Sequence, residues 1–257
     1  MFEVIEKPRF YVHPASLQRL RYPYLIFNMA EERRLGRERW FRENWFRHAI
    51  LDCGVETFFF VRRMRDYPRH FLELYKYRAL LATNKFGRER VWVTIPDYPD
   101  DYEQRLTWEK GKDNVDKTLE NIERFSSVDG VEWIYPVQSR YLDRARFVES
   151  CRLVKEYNPR IIGIGTVCKT RDVKFIHFCV RKAREIFGRH VWIHAFGPTL
   201  RALPYIHCYL DSFDSSAQFY LGGRMVRNRV EREKAFLAWL AKVKAIVDRP
   251  VLDHWVS

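Results

Sequence analysis

The sequence predicts a (β/α)8 barrel, and three observations point there. Short apolar runs rich in Val, Ile and aromatic residues alternate with stretches of helical periodicity. From the third run onward the strands recur about every 30 to 40 residues, the length of one βα unit. The runs are also continuously apolar rather than alternating, as in strands of a parallel sheet covered on both faces. An open doubly wound sheet is the second architecture, but no GxGxxG or GxxxxGKS/T is present to support its nucleotide-binding form.

Seven strand-like runs are visible: Tyr24–Met29, His48–Gly54, Val91–Pro96, Val131–Gln138, Ile161–Val167, Val191–Gly197 and Tyr205–Asp214. An eighth, which the sequence does not locate, would complete the barrel. Helical spacing of apolar residues marks Asp101–Phe125, Tyr141–Tyr157 and Val173–Phe187. The amphipathic segment 231–247 (EREKAFLAWLAKVKAIV) is expected to close the chain as its C-terminal helix. No low-complexity or Pro/Gly/Ser-rich linker divides the chain, so residues 1–257 are expected to form a single domain.

At 47% hydrophobic the chain can bury a core, which excludes a disordered protein. No uncharged apolar run approaches the roughly 20 residues of a membrane span, and the N-terminus lacks the apolar stretch of a secretory signal. A soluble, cytoplasmic protein with no membrane partner is the expectation. The five cysteines are scattered and never form CxxC, which argues against a disulfide framework and against cysteine-rich zinc; no metal is expected. His13, His48, His177 and His190 show no metal-ligand spacing either, and His194 and His207, each on an apolar strand-like run, read as buried core histidines.

Net charge is +13, unevenly spread. Residues 1–90 hold 19 basic and 11 acidic side chains, residues 91–150 hold 8 and 13, and residues 151–257 hold 19 and 9. A basic surface interrupted by one acidic segment suits a polyanion such as nucleic acid, although a soluble enzyme that happens to be basic fits as well. Two segments concentrate the charge. Arg33–Arg47 interleaves Arg39, Arg42 and four other arginines with Trp40, Phe41, Trp45 and Phe46, a pattern of phosphate contacts and stacking, or of an amphipathic helix with solvated arginines. Gly222–Arg232 carries Arg224, Arg227, Arg229 and Arg232 in what reads as a flexible phosphate clamp or a solvated helix start.

Polar residues fall at the C-terminal ends of the runs: Asp52, Asp97, Gln138, Gly163 and Gly165 with Thr166, and Asp214. In a barrel these ends converge on the face that carries the active site. A carboxylate placed directly after apolar strand residues is partly desolvated, which raises its pKa toward neutrality. Each aspartate alone also reads as an N-cap for the following helix. Two carboxylates facing one carbon suit displacement at a sugar C1′ through a covalent intermediate. Cys53 beside Asp52 is a further nucleophile candidate, but no histidine partner is identifiable for it.

The order of these motifs resembles the tRNA-guanine transglycosylase superfamily, whose (β/α)8 barrels exchange guanine in a nucleic acid for a 7-deazaguanine base. LDCG (Leu51–Gly54) stands where that family has Asp-Ser-Gly, and PDYPDDY (Pro96–Tyr102) resembles its base-binding turn. PVQSR (Pro136–Arg140) matches its Val-Gln-Gly, GIGTVC (Gly163–Cys168) loosely its Gly-Gly-Leu, and DSFD (Asp211–Asp214) its nucleophile motif. The resemblance covers about two thirds of the chain. Val55 and Ser139 replace family glycines, and the family's zinc-binding cysteines after the nucleophile are missing, since the last cysteine is Cys208. The chain is thereby similar to the short, zinc-free branch that modifies DNA.

The resemblance implies Asp214 as nucleophile, Asp52 as general acid/base, and Asp97, Gln138 and the backbone around Gly163 and Gly165 as base-binding groups. Asp211 either holds the Asp214 loop or merely ends the strand. The implied partners are DNA, favoured over tRNA, and a free 7-deazaguanine base. No organic cofactor is needed, because one glycosidic bond replaces another. A hydrolytic nucleobase glycosylase and a non-catalytic nucleic-acid-binding protein remain as alternatives, and a homodimer is compatible with the sequence.

Overall fold

The computed structural model describes residues 5, 7–13, 20–30, 45–100, 111–168, 170–216, 220–221, 224–226 and 228–250. Its centre is one sheet of eight parallel strands: β1 (Arg9–Tyr11), β2 (Tyr24–Asn28), β3 (His48–Asp52), β4 (Val91–Thr94), β5 (Glu132–Val137), β6 (Ile161–Ile164), β7 (Trp192–Ala195) and β8 (Ser212–Asp214). The strands follow the order β1-β8-β7-β6-β5-β4-β3-β2. A parallel bridge between Val12 and Leu25 joins the two ends. There Val12 N–H donates to the Tyr24 carbonyl at 3.2 Å, and Ile26 N–H donates to the Val12 carbonyl at 2.9 Å. The result is a nearly closed (β/α)8-type barrel with helices between its strands.

Five of the helices that cover it are α1 (Arg69–Phe86), α2 (Asn114–Ser126), α3 (Arg144–Lys155), α4 (Val173–Phe187) and the four-residue α5 (Leu203–Ile206). The last, α6 (Arg229–Val247), buries Ala235, Phe236, Trp239, Leu240 and Val243 at helical spacing. Trp239 packs on Phe10 with ring centroids 4.5 Å apart, and Phe236 packs on Tyr22 at 5.4 Å, so α6 covers the β1–β2 side of the barrel. Aspartates cap three helices, since a short side-chain acceptor satisfies the free N–H groups of a first turn. Asp113 forms a capping box with Asp116 on α2, Asp143 receives Arg146 N–H on α3, and Asp172 receives Phe175 N–H on α4. No described helix is long and apolar enough to cross a membrane.

The barrel interior is filled in layers. At the N-terminal end the Arg9 guanidinium lies 4.7 Å over both the Tyr24 and the Trp192 rings, while Trp92 meets Trp192 at 5.2 Å and His48 at 4.2 Å. Above them Tyr11 Oη bonds His48 Nδ1 at 2.8 Å, and the Tyr11 ring packs edge-on against His194. This plug leaves the opposite end of the barrel, where the strands finish, to polar side chains.

Two features depart from the sequence reading. The run Tyr205–Asp214 is not one strand: α5 and a 3-10 turn, His207–Tyr209, precede a strand of only three residues, and His207 therefore lies in the turn. Pro204 sits at the start of α5, where its fixed φ favours a helix, and the buried Leu203 and Ile206 supplied apolar character that suits either element. The helix expected over Asp101–Phe125 begins at Asn114, after the Asp113 cap; residues 101–110 lie outside the described residues. The missing eighth strand is β1.

Candidate functional site

The strand ends bring the sequence-selected acids together. Asp52 ends β3, Asp97 follows β4, Gln138 follows β5, Gly165 follows β6, and Asp214 ends β8. None of the three aspartates caps a described helix, so the capping reading does not account for them.

Asp97 is 4% exposed and is the best-supported of the three. The Gln138 side-chain amide donates to its Oδ2 and the Cys53 thiol to its Oδ1, the latter at 3.4 Å. Tyr67 Oη donates to the Asp97 backbone carbonyl at 2.7 Å and sits 3.3 Å from Cys53 Sγ. Burial pushes the Asp97 carboxyl up to about 6, against the hydrogen bonds from Gln138 and Cys53. Gln138 is equally buried, and its Oε1 has no hydrogen-bond partner among the described residues. A buried amide oxygen without a donor is costly unless a ligand supplies one.

Gly165 makes room for this pair. A Cβ there would lie 2.1 Å from Gln138 Nε2 and 3.1 Å from Asp97 Oδ2. Its own N–H is engaged with the Val137 carbonyl at 3.1 Å, so its contribution is space rather than a donor. Gly163 faces the packing instead, because a Cβ there would lie 2.4 Å from the Phe196 ring and 2.9 Å from Ile134 Cγ2.

Asp52 is half-buried, and Gly54 N–H donates to its Oδ2 at 3.0 Å. Burial first, then the neighbouring Asp97 and Asp214 charges, raise its carboxyl to about 7, outweighing the N–H groups of Gly54 and Cys53. A group poised near neutral pH can both give and take a proton. Gly54 holds φ at 87°, and a Cβ there would lie 2.4 Å from the Ala30 Cβ.

Asp214 is held from one side. Gly197 N–H donates to its Oδ1 at 3.0 Å, and His194 Nε2 stands 3.3 Å from the same oxygen. No donor among the described residues engages Oδ2, and the side chain keeps 19% exposure. His194 is fully buried, and its Nδ1 bonds Ser212 Oγ at 2.9 Å, which in turn accepts from Trp192 Nε1 at 2.7 Å. His194 is thus a core histidine, as the sequence reading has it, that also reaches the acid.

No family model and no curated protein matches the chain.

The remaining candidates divide. Asp211 binds Arg184 at 2.6 Å and Ile193 N–H at 2.8 Å before β8 begins, so it ties α4 and β7 together at the pole opposite Asp214. Burial, with the charges of Asp97 and Asp52, pushes the Cys53 thiol well up, which argues against a thiolate nucleophile. Arg224 lies on β10 (Arg224–Met225), which pairs antiparallel with β9 (Tyr220–Leu221), and Arg229 opens α6. The segment read as a flexible clamp or a helix start is therefore partly a strand pair and partly the start of α6. Arg39, Arg42 and Arg227 lie outside the described residues. Among the described residues no cluster of three His, Cys, Asp or Glu side chains suits a metal ion.

Proposed function

We propose that this protein exchanges guanine in a nucleic acid for a 7-deazaguanine base, with DNA the favoured polymer. The observation that carries the reading is the convergence at one barrel mouth of a carboxyl poised near pH 7, a buried Asp–Gln pair and a one-sidedly held carboxylate.

The chemistry assigns each group a step. Asp214 attacks C1′ through the oxygen that is not held by Gly197, forming a C1′–O bond as the C1′–N9 bond breaks. The departing guanine takes the proton from Asp52. The incoming 7-deazaguanine returns a proton from N9 to Asp52, its N9 attacks C1′, and the bond to Asp214 breaks. Asp97 accepts from N1–H and the exocyclic amine of the base; each carboxylate oxygen has a second lone pair available beyond its bond to Gln138 or Cys53. Gln138 Oε1 offers one further acceptor. A base must leave the stack to reach such a site, so single-stranded or flipped nucleotides are the expected substrates.

The test is a base-exchange assay with labelled guanine on DNA and, separately, on tRNA. Label entering DNA with wild type but not with Asp214→Ala supports the reading, and label entering only tRNA changes the polymer. Guanine release without incorporation identifies a glycosylase instead.

A further inference from the structure

The β3–α1 connection follows directly from the Asp52 motif and holds an arginine cluster that the reading above leaves unused. Arg62, Arg63, Arg65 and Arg69 fall within eight residues, and all four are exposed. Among the described residues none of them forms an ion pair. The one acid among them, Asp66, is taken up elsewhere, by Tyr98, by Lys117 at 3.7 Å and by the Tyr67 N–H at 2.7 Å.

The cluster is displayed on a braced frame. After Gly54 the chain enters a π-helical turn, Glu56–Val61, a form that occurs often at functional sites. Phe58 and Phe59 of that turn are buried against Tyr67, Phe71 and Tyr98. Asn28, at the end of β2, donates to Thr57 Oγ1 at 2.9 Å. Lys117 on α2 donates to the Arg65 carbonyl at 3.4 Å. The Arg62 guanidinium lies 5.4 Å from the Phe58 ring centroid. Arg63 holds φ at 53°, a left-handed conformation that non-glycine residues rarely keep unless their surroundings impose it. Tyr67, within the cluster's span, donates to the Asp97 carbonyl at 2.7 Å and lies 3.3 Å from Cys53 Sγ, which ties this connection to the strand-end mouth.

We propose that Arg62, Arg63 and Arg65, directly after this braced turn, bind the phosphate backbone of the polynucleotide and hold its strand across the Asp52 side of the barrel mouth. The proposal rests on the nucleic-acid reading given above. Cations without an ion-pair partner among the described residues, held at the site's edge, suit a polyanionic chain, since each phosphate contact releases counterions and adds to the salt dependence of binding.

The test measures binding of a fluorescent single-stranded oligodeoxynucleotide by anisotropy between about 50 and 200 mM salt. Removing three phosphate contacts in R62A/R63A/R65A should make the slope of log K against log salt shallower by about 2, with at least a tenfold loss of affinity at the low-salt end. The charge-matched R152A/R181A/R189A variant, altered on the outer wall and the α4–β7 turn, should keep the wild-type slope. Arg63→Gly, which suits the left-handed backbone, should fold like wild type and still lose affinity, separating binding from misfolding. An unchanged slope in R62A/R63A/R65A, or an equal drop in the outer-wall variant, overturns the proposal. So does a wild-type protein that binds no oligonucleotide. Base exchange is scored separately: wild type without exchange but with the expected slope change overturns the transglycosylase reading and leaves the arginine rim standing.

Discussion

Replacing Asp52 with Asn should remove activity and, above neutral pH, stabilise the fold. In the folded protein the Asp52 carboxyl titrates near 7 rather than at its ordinary 3.8. Between about pH 4 and pH 7 the folded state therefore holds a proton that the unfolded chain has released. Stability falls as pH rises through that window, and the full penalty is present above it. At about 1.4 kcal/mol per pH unit the displacement amounts to about 4 kcal/mol in the fully buried limit. Partial contact of Asp52 with solvent brings the expectation to about 2 to 3 kcal/mol. Asn retains an acceptor for the Gly54 N–H without the charge. Urea unfolding at pH 4, 6 and 8 checks this: the Asn variant should match wild type at pH 4 and gain stability steadily toward pH 8. A difference that is independent of pH, or an Asn variant weaker than wild type at pH 8, would refute the argument that Asp52 is held as a desolvated acid.

Other substitutions probe the rest of the site. Gly165→Ala should displace the Gln138 amide from Asp97 and raise KM for the incoming base about 10- to 100-fold, the worth of a charged hydrogen bond, with an unchanged circular dichroism spectrum. His194→Ala should lower kcat about tenfold or more while leaving KM for the base unchanged, because its contact is to Asp214 and not to the Asp97–Gln138 pair. Asp113→Ala should lower stability by about 2 kcal/mol, because it leaves two helix N–H groups without their cap and strips Arg146 of one of its three acids, Asp116 and Glu149 remaining. Arg146 and the N–H of Asp116 hold the Asp113 carboxyl well below its ordinary value despite burial, so this last deficit should shrink as pH falls below about 4, which urea unfolding extended to lower pH checks.

Much of the barrel was legible because parallel strands buried on both faces leave continuous apolar runs. HAILD, VWVT and IIGI are visible for that reason, and the acids that follow them mark the mouth. β1 was not legible: it has only three residues, and its Arg9 points a guanidinium into the barrel, stacked between Tyr24 and Trp192, where a sequence pattern expects an apolar side chain. The helix at Leu203–Ile206 was lost for the converse reason, since a short apolar run fits a strand or a buried helical turn equally. At the site the acids could be found from their position at strand ends. The contacts of His194 with Asp214 and of Cys53 with Asp97 join residues far apart in sequence and depend on barrel closure, which no local pattern encodes.

On the proposed mechanism Asp214 becomes covalently bound to the sugar. Wild type should be incubated with a guanine-containing DNA oligonucleotide without an acceptor base, denatured and digested, and its peptides weighed. A deoxyribosyl-linked adduct on the peptide containing Asp214, absent in Asp214→Ala, is the expected result. Base exchange that persists in Asp214→Ala, or an adduct mapped to another residue, would contradict the account.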